Sequence, residues 1–486
     1  MRDLRPFFAP RSVAVVGAGA RPTSSGGAIL QNLKISRYGG AIHPINPKGG
    51  NLFDLPVTAS LSDLAAPAEL AVVVIRPDSI PDVVREAART GHKHLLILPG
   101  GFAEAGAQGL ARDREVRAIA AEHGITIAGP NCAGIIHLAA GNRFAATFLR
   151  DMPRGARTGE AALAFISQSG AIAEEMIAAS YRMDLPVSTL VSVGNAMHLG
   201  VADYLDHLGR DPAIGVVLLY IESIEDPVRF GAIARAVAAI KPVVALFGGR
   251  TDPGARAAAA HTGALANSDD AIGDFLAECG ILRVDSLRRL LLAAKGFGRF
   301  PAGFGKRALV LSNSGGPGVV CTDRAAADGL ELVALPPDMA ATLRTMLPPE
   351  ASVANPLDLL ADAREDRFGA TLELAFAARA AFDVVLMIHV VPFMVDAAPV
   401  IEAMARIAGA APLPVLHSMM GTISEKAAWF ATMEAAGVPM FDDVEAMAEC
   451  AALVARYPAL RARAGATTAG PPRLKGREPA TQGPHK

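Results

Sequence analysis

Net charge, cysteines and long apolar runs are all scarce in this sequence, and each shortage excludes a class of protein. The formal net charge is −2 over 486 residues, so the chain has no overall electrostatic attraction to nucleic acid or to an anionic membrane. The four cysteines are far apart and match no CxxC spacing, which predicts reduced thiols in a cytosolic protein and indicates no metal site. No apolar run reaches the roughly 18 residues of a membrane span, and the amino-terminal segment lacks the pattern of a signal peptide. We therefore expect a cytoplasmic protein without membrane contact.

The sequence is rich in short apolar runs that alternate with longer amphipathic stretches. This alternation is typical of parallel sheets with crossover helices, and the chain is too long for a single hydrophobic core. We predict an α/β protein with a Rossmann-like domain over residues 1–150 and two flavodoxin-like domains over residues 155–300 and 305–463. Residues 467–486 lack apolar periodicity, so we expect a disordered tail there.

Five strands are predicted in each domain. The second and third domains both open with a strand, a turn of serine and glycine and then a helix, which indicates a diverged repeat. The predicted strands lie at 12–17, 41–45, 71–75, 94–98 and 125–127 in the first domain, at 161–166, 187–193, 215–221, 242–247 and 281–284 in the second, and at 307–312, 331–334, 383–388, 413–416 and 438–441 in the third.

Two turns of the first domain predict an anionic ligand. Gly17, Ala18 and Gly19 follow the first strand and would let the backbone approach a phosphate closely, although the next glycines come too late for a GxGxxG motif. The second strand ends at Asn46 and Lys48, where NAD sites carry an acidic residue. A lysine at this place favours a phosphorylated ribose, as in CoA or NADP, and a solvated loop lysine is the alternative.

The fifth strand runs into Asn131 and Cys132, at the sheet edge where ligands of such folds bind. Cys132 has no obvious histidine and acid partner, so a role as a nucleophile is disfavoured. We interpret this segment as a polar turn whose backbone faces the ligand.

A second anion site is predicted between a strand and a helix of the second domain. Ser167, Gln168, Ser169 and Gly170 combine two hydroxyl groups with the free N–H groups of a helix N-terminus, which together form a cradle for phosphate. A simple helix cap is the alternative.

His261 follows the fourth strand of the second domain, in what we expect to be an accessible loop among alanines. Gly263, two residues later, could supply an N–H group to a bound phosphate. A neutral imidazole is a competent nucleophile near pH 7 and can carry a phosphoryl group if a partner fixes its tautomer. Glu222 ends the preceding strand of the same sheet and is the candidate partner, with a surface salt bridge as the alternative. The sequence therefore predicts a phosphohistidine site.

The chain resembles the α subunit, or α half, of the NDP-forming acyl-CoA synthetases, relatives of succinyl-CoA synthetase. The resemblance covers about residues 5–460 in the family's order, and HTGAL at 261–265 is its most specific mark. The matching runs are SVAVVGA at 12–18, INPK at 45–48, GPNCAG at 129–134, SQSGA at 167–171, VGN at 193–195, YIES at 220–223, GGRTDPGARAAAAHTGALA at 248–266, NSGGPG at 313–318 and NPLDL at 355–359.

The resemblance implies a division of work between the first two domains. The first would bind CoA, with Asn46 and Lys48 on the phosphate side of the ligand. In the second, His261 would exchange a phosphoryl group with an acyl phosphate, the turn that begins at Ser167 would hold that phosphate, and Glu222 would orient the histidine. The activity implied is the ADP-forming ligation of a small carboxylic acid to CoA.

Nothing in the sequence resembles an ATP-grasp domain, and there is no GxxxxGK[ST] motif. The resemblance therefore implies a partner β subunit that binds ATP or ADP with Mg²⁺, in an α₂β₂ assembly. Two other functions stay open at this point. One is a non-catalytic, CoA-binding regulatory paralogue, and the other, disfavoured by the missing GxGxxG motif and by the phosphate cradle, is an NADP-dependent oxidoreductase.

Two positions depart from the pattern of the archaeal acetyl-CoA type. An acidic residue often follows the Gly-Asn pair at 194–195, whereas residues 196–200 here read AMHLG. Phe247 stands where a lysine is often found. These departures affect the prediction of the acid substrate more than the prediction of the mechanism.

Overall fold

The computed structural model describes residues 2–262, 269–421 and 424–466. These residues form two compact units. Unit 1 contains the described residues up to Arg157, those from Ala162 to Asp285 and those from Arg463 to Ala466, and unit 2 contains the described residues of Thr158–Ala161 and Ser286–Ala462. The predicted domains over 1–150 and 155–300 fall mainly in unit 1 and the domain over 305–463 in unit 2, while their boundaries stay predictions. The predicted tail lies outside the described residues.

The first sheet of unit 1 is entirely parallel, with the order β2-β1-β5-β6-β7. Its strands, with a short antiparallel hairpin of β3 and β4, are β1 (Ser12–Val16), β2 (Ala41–Ile45), β3 (Asn51–Leu52), β4 (Leu55–Pro56), β5 (Leu70–Val73), β6 (His94–Ile97) and β7 (Thr126–Ala128). The helices of this part are α1 (Arg5–Phe8), α2 (Ser25–Ile35), α3 (Ile80–Thr90) and α4 (Gly106–His123). All five predicted strands are present, and their carboxyl ends share one edge of the sheet.

The second sheet of unit 1 has seven strands in the order β14-β13-β12-β10-β11-β8-β9. The strands are β8 (Gly134–His137), β9 (Phe144–Thr147), β10 (Leu163–Ser167), β11 (Val187–Ser192), β12 (Val216–Ile221), β13 (Val243–Phe247) and β14 (Leu282–Val284). The helices are α5 (Gly170–Arg182), α6 (Val201–Arg210), α7 (Pro227–Ala238), α8 (Asp252–Thr262) and α9 (Asp269–Glu278). Strands β10 to β14 are the five that the sequence predicts.

The prediction of five strands for this sheet is wrong, because β8 and β9 add to its edge. Both strands belong by sequence to the segment assigned to the first domain. They are fully buried four-residue strands joined by a short connection, so they pair antiparallel with each other, and β8 pairs antiparallel with β11. The chain thus leaves the first sheet after β7 and enters the second directly.

Unit 2 contains a third, parallel sheet with the order β16-β15-β18-β19-β20, and β17 also pairs with β15. Its strands are β15 (Arg307–Ser312), β16 (Glu331–Leu332), β17 (Leu357–Asp358), β18 (Val384–Val390), β19 (Val415–Met420) and β20 (Met440–Phe441). The helices are α10 (Leu287–Arg299), α11 (Gly315–Ala327), α12 (Pro337–Met346), α13 (Glu365–Ala377), α14 (Ala397–Gly409), α15 (Lys426–Ala435) and α16 (Val444–Ala466). No helix among the described residues has both the length and the apolar character required to cross a bilayer.

Two histidines lie in the core of unit 2, where the sequence suggested no role for them. His389 on β18 and His417 on β19 are fully buried, and their rings are stacked with centroids 6.3 Å apart. The ring of Phe368 packs edge-on against His389 at 5.4 Å. Within the described residues, neither histidine ring has a hydrogen-bond partner. Burial lowers the pKa of His389 to about 4, and burial together with the neighbouring ring lowers the pKa of His417 well below its usual value.

Unit 2 should therefore lose stability as the pH falls from about 6.5 towards 4. Over this range the unfolded rings take up protons while the buried rings of His389 and His417 stay neutral. Each ring should remove up to about 1.4 kcal/mol of unfolding free energy per pH unit. The chain's single tryptophan, Trp429, packs against this core, so its fluorescence in urea titrations at several pH values reports the unfolding of unit 2.

The variants His389→Leu and His417→Leu should each flatten this pH dependence, whatever they do to stability at pH 7. Met387→Leu changes a fully buried residue of the same core without changing a titratable group, so it should keep the wild-type slope. A wild-type slope in both histidine variants would contradict the assignment.

Candidate functional site

The turn after β1 requires glycine at its first position. Gly17 has a φ of +94°, and a Cβ atom there would lie 2.8 Å from the carbonyl oxygen of Val74. The N–H groups of Gly17 and Ala18 donate to the carbonyl oxygen of Ile45, at 3.1 and 3.2 Å, which ties the turn to the end of β2. The two predicted ligand turns are thus adjacent at the carboxyl edge of the sheet.

Two further glycines, which lie too late in the sequence for a GxGxxG motif, bring α2 against this turn. A Cβ atom on Gly26 would lie 2.1 Å from the carbonyl oxygen of Gly17, and one on Gly27 would lie 2.0 Å from that of Arg21. The side chain of Ser24 caps the helix by accepting from the N–H of Gly27 at 3.3 Å. The helix N-terminus therefore stands beside the turn, as in sites for phosphate groups. A search for glycine motifs with a longer spacing than GxGxxG would have identified Gly26 and Gly27 from the sequence.

Asn46 and Lys48 have different roles in the second turn. The side-chain amide of Asn46 donates to the carbonyl oxygen of Ala18 at 2.7 Å and accepts from the N–H of Lys48 at 2.9 Å. Asn46 therefore braces both turns. Lys48 is exposed, and it remains the predicted cationic contact to a phosphate.

The segment after β7 joins the first sheet to the loop after β11. The side-chain amide of Asn131 donates to Asn195 at 3.2 Å, and Asn195 in turn donates to the carboxylate of Glu104. Burial alone would raise the pKa of Glu104, but hydrogen bonds from backbone N–H groups and from Asn195 lower it below its usual value. Because β7 lies three strands from β1, Asn131 is about 14 Å along the sheet edge from the Gly17 turn. Only an elongated ligand would reach both.

The thiol of Cys132 faces the core of unit 1, and a contact of the backbone of this turn with CoA stays a prediction. The thiol is buried and donates to the carbonyl oxygen of Ile97 at 3.4 Å, and the N–H of Cys132 donates to that of Leu98 at 3.1 Å. Burial raises the pKa of this thiol to about 12, so it stays protonated. Cys132 is thus a core residue, which also agrees with the rejection of a nucleophilic role.

The predicted phosphate turn lies between β10 and α5. Ser167 is buried, and its hydroxyl donates to the carbonyl oxygen of Ser169 at 2.7 Å and accepts from the N–H of Ser169 at 3.1 Å, so it braces the turn from within. Ser169 caps α5 by accepting from the N–H of Ile172 at 3.4 Å. The first N–H groups of the helix, which begins at Gly170, have no acceptor within the helix and carry its positive dipole end.

Gln168 connects this turn to the end of β12. Its side-chain oxygen accepts from the N–H groups of Glu222 at 2.5 Å and Ser223 at 3.1 Å, and its amide donates to the carbonyl oxygen of Ser223 at 3.2 Å. Its own N–H donates to the carbonyl oxygen of Tyr220 at 3.1 Å. The structure thus brings together the phosphate turn and the segment of Glu222, as predicted from their strand ends.

Tyr220 and Gly248 are two further members of this site that the sequence analysis did not assign. Burial, and then the charge and hydrogen bond of Glu222, raise the pKa of Tyr220 to about 12, so the phenol stays protonated and donates to the carboxylate. A Cβ atom on Gly248, after β13, would lie 3.1 Å from the Tyr220 hydroxyl oxygen and 3.6 Å from Cγ of Glu222. The period of two along a strand places Tyr220 and Glu222 on one face, and this signal could have identified the tyrosine.

The backbone of His261 differs from the prediction. Residues 252–262 form α8 rather than a loop, and His261 is in its last turn. Four consecutive alanines before it explain the helix, because alanine has the highest helix propensity. The side chain of His261 and the whole of Gly263 lie outside the described residues. The predicted contact between His261 and Glu222 therefore stays a prediction.

Three family descriptions match successive parts of the chain. Residues 11–138 match a CoA binding domain, residues 160–297 a succinyl-CoA ligase like flavodoxin domain, and residues 308–465 a ligase-CoA domain. The first match contains the turns at Gly17 and Asn46. The second contains the phosphate turn, Glu222 and His261.

Relatives match the chain along most of its length. The α subunit of the ADP-forming acetate–CoA ligase II of Pyrococcus furiosus is 33% identical over 92% of this chain and 96% of its own length. A trans-feruloyl-CoA synthase from an unknown prokaryotic organism is 36% identical over 72% of this chain, which spans 50% of that relative. The solved structure of the acetyl-coenzyme A synthetase 1 of Ca. Korarchaeum cryptofilum, in complex with phosphate and ADP, matches with a TM-score of 0.88 and 29% identity, covering 96% of this chain and 100% of that one.

The α/β fold and these matches together identify the class of protein as an acid–thiol ligase. The chain belongs to the family of ADP-forming acyl-CoA ligases that contains the P. furiosus α subunit. The expected family, and the expected Rossmann-like domain followed by two flavodoxin-like domains, are therefore confirmed.

Lys48→Glu should weaken CoA binding, because it places a negative charge where we predict a phosphate of the ligand. We expect a loss of about 1.5–3 kcal/mol, which is roughly a tenfold to hundredfold rise in Kd. Calorimetry of the full chain with CoA and with dephospho-CoA measures this loss. The exposed variant Lys93→Glu is the control and should bind as the wild type does. Equal binding of the two ligands by the wild type, or a preference for NADP, would contradict the assignment.

Proposed function

We propose that this chain is the CoA-binding, phosphoryl-carrying α subunit of an ADP-forming acyl-CoA synthetase. The observation that carries the proposal is the bridge made by Gln168, which holds the N-terminus of α5 next to Glu222 and Tyr220. A helix N-terminus beside a half-buried tyrosine–carboxylate pair suits a histidine that takes up and releases phosphate. A non-catalytic CoA-binding role is not favoured, because relatives along the length of the chain are ligases.

The reaction would proceed through two displacements. The acid's carboxylate attacks the phosphorus of phosphorylated His261, so a P–O bond forms, the N–P bond breaks and an acyl phosphate results. The CoA thiolate then attacks the acyl carbon, which forms the C–S bond and expels phosphate. Glu222 would fix the tautomer of the imidazole, and Tyr220 would hold that carboxylate in place. Dividing a difficult condensation into two steps is the usual benefit of covalent catalysis.

The nucleotide would come from a second subunit. In the proposed assembly an ATP-grasp β subunit, in an α₂β₂ complex, binds ATP with Mg²⁺ and rephosphorylates His261 with release of ADP. The support is that two relatives of which the chain covers 96% and 76% are named as α subunits, while it covers only about half the length of another relative, an ADP-forming acetate–CoA ligase. The names of relatives, an acetate–CoA ligase and a trans-feruloyl-CoA synthase among them, support a small carboxylic acid as the substrate here.

His261→Asn should abolish acyl-CoA synthesis, because asparagine cannot carry the phosphoryl group. With labelled ATP and the partner subunit, the wild type should acquire an acid-labile, base-stable phosphate and the variant none. CoA binding should be unchanged, because the predicted CoA turns lie on the other sheet of unit 1. Glu222→Gln should slow phosphoryl transfer without loss of folding.

His123→Asn is the matched control, because His123 is exposed at the end of α4. It should leave both labelling and synthesis intact. Label on Ser167 or Ser169 in the wild type, or turnover by His261→Asn, would overturn the mechanism.

The purified chain alone should show no ATP-dependent ligation, and activity should appear on addition of an ATP-grasp partner. Size-exclusion chromatography with light scattering should detect the complex, and coupled ADP release should follow its formation. The isolated chain should still accept phosphate from an acyl phosphate at His261. Robust ligation by the chain alone would mean that it contains a nucleotide site of its own.

A further inference from the structure

A cleft of about 630 Å³ opens in unit 1 where three strands of the second sheet end. Its walls come from the segments after β10, β11 and β12, which are neighbours in the sheet, and from Arg117 on α4. Because β11 and β12 lie on opposite sides of β10, this is a topological switch point, where open α/β sheets bind ligands. The volume falls within the roughly 300–1,000 Å³ of small-molecule sites and exceeds what a two-carbon acid requires.

One end of the cleft borders the candidate reaction centre. Gln168 and Ser223 both line it, and the side-chain oxygen of Gln168 accepts from the N–H groups of Ser223 and Glu222. A ligand in the cleft would thus have one end beside the phosphate turn and the predicted partner of His261.

The arginines of the wall already have partners, and Arg2 donates to the carbonyl oxygen of His198. Arg229 pairs with Asp203 at 2.6 Å, and Arg117 pairs with Asp113 at 2.6 Å and also donates to a backbone carbonyl. Glu225, which lines the cleft as well, adds a negative charge. This wall therefore suits an uncharged group better than a second carboxylate.

Apart from the groups already named, Gly200 and Asp226, which caps α7, the wall is apolar except for one histidine. The apolar lining residues are Ala196, Met197, Val201, Ala202, Ile224 and Phe230. Nδ1 of His198 accepts from the N–H of Ile127 at 3.1 Å, so the ring proton is on Nε2. Burial, followed by the charges of Arg117 and Arg2, lowers the pKa of His198 to about 4. The ring is therefore a neutral hydrogen-bond donor at physiological pH.

We propose that this cleft holds the tail of the acid substrate, and that the acid is a monocarboxylate larger than acetate with an uncharged tail that carries a hydroxyl group. The inference rests on the proposed function and adds the substrate class to it. The carboxylate lies at the Gln168 end, the tail packs against Ala202 and its apolar neighbours, and the hydroxyl accepts from Nε2 of His198. His198 is then a specificity-determining residue.

The test compares four acids with the complex of this chain and its ATP-grasp partner. Acetate, succinate, 3-phenylpropanoate and 3-(4-hydroxyphenyl)propanoate are compared by kcat/KM for ADP release. The two aromatic acids should exceed acetate and succinate at least tenfold. His198→Leu should reduce the advantage of the hydroxylated acid over 3-phenylpropanoate by about three- to tenfold, the loss expected for one neutral hydrogen bond. A preference for acetate or succinate would overturn the proposal.

Ala202→Phe tests whether the tail occupies the cleft, because the added ring would fill part of it. It should lower kcat/KM for both aromatic acids at least tenfold, more than it lowers kcat/KM for acetate, and leave the KM for CoA within twofold. Ala118→Phe, at an exposed position of α4, is the matched control and should behave as the wild type. A raised KM for CoA in Ala202→Phe would show that the cleft holds part of CoA instead, and an unchanged acid preference would also overturn the proposal.

A binding measurement separates this inference from the proposed function. Saturation-transfer NMR of the purified full chain with 3-phenylpropanoate should give a signal for the wild type that Ala202→Phe loses. This result would support the cleft assignment. If the complex nevertheless released no ADP with any acid, the proposed ligase activity alone would be overturned. No signal with the wild type would overturn the cleft assignment, even if the complex is an active ligase.

Discussion

Strands β10, β11 and β12 run parallel with their carboxyl ends level, and the candidate site depends on this register. The pairing sets Ser167 opposite Ser192 on one side and opposite Tyr220 on the other. A slip of one residue would turn every side chain of a strand to the opposite face of the sheet. Gln168 could not then reach the backbone of Glu222, and the helix end at Gly170 would lose its position beside the tyrosine–carboxylate pair. The hydrogen bonds of Gln168 therefore both depend on the register and stabilise it.

The two sheets of unit 1 are connected by backbone contacts as well as by the chain itself. A Cβ atom on Gly194 would lie 2.1 Å from the carbonyl oxygen of Pro130, so only glycine allows the loop after β11 to approach the segment after β7 this closely. The hydrogen bonds from Asn131 to Asn195 and on to Glu104 lie at the same junction. A ligand that extends along the edge of the first sheet would thus reach a loop of the second sheet whose position is fixed by these contacts. The proposed reaction between CoA and an acyl phosphate requires such proximity.

The predicted anion sites in this unit present backbone N–H groups, with Lys48 as the predicted cationic side chain beside the first of them. The turns at Gly17 and Ser167 each precede a helix capped by a serine, and the arginines of the neighbouring cleft are paired with carboxylates or carbonyl groups. Backbone donors do not change charge with pH and lose little conformational entropy when a phosphate arrives or leaves. Such a site suits a phosphate that is bound transiently rather than stored.

The sequence alone determined the α/β class, the fifteen strands predicted from apolar runs, and the strand ends that carry Ser167, Glu222 and Lys48. These follow from local signals, namely periodicity, turn residues and the rule that ligands bind at the carboxyl edge of parallel strands. Tertiary structure alone decided which strand ends become neighbours, because pairing order depends on contacts between residues distant in sequence. It moved β8 and β9 to the second sheet and buried Cys132. It also placed Tyr220 against Glu222 and gave His198 its place in the cleft, since each of these depends on packing between segments that no local pattern encodes.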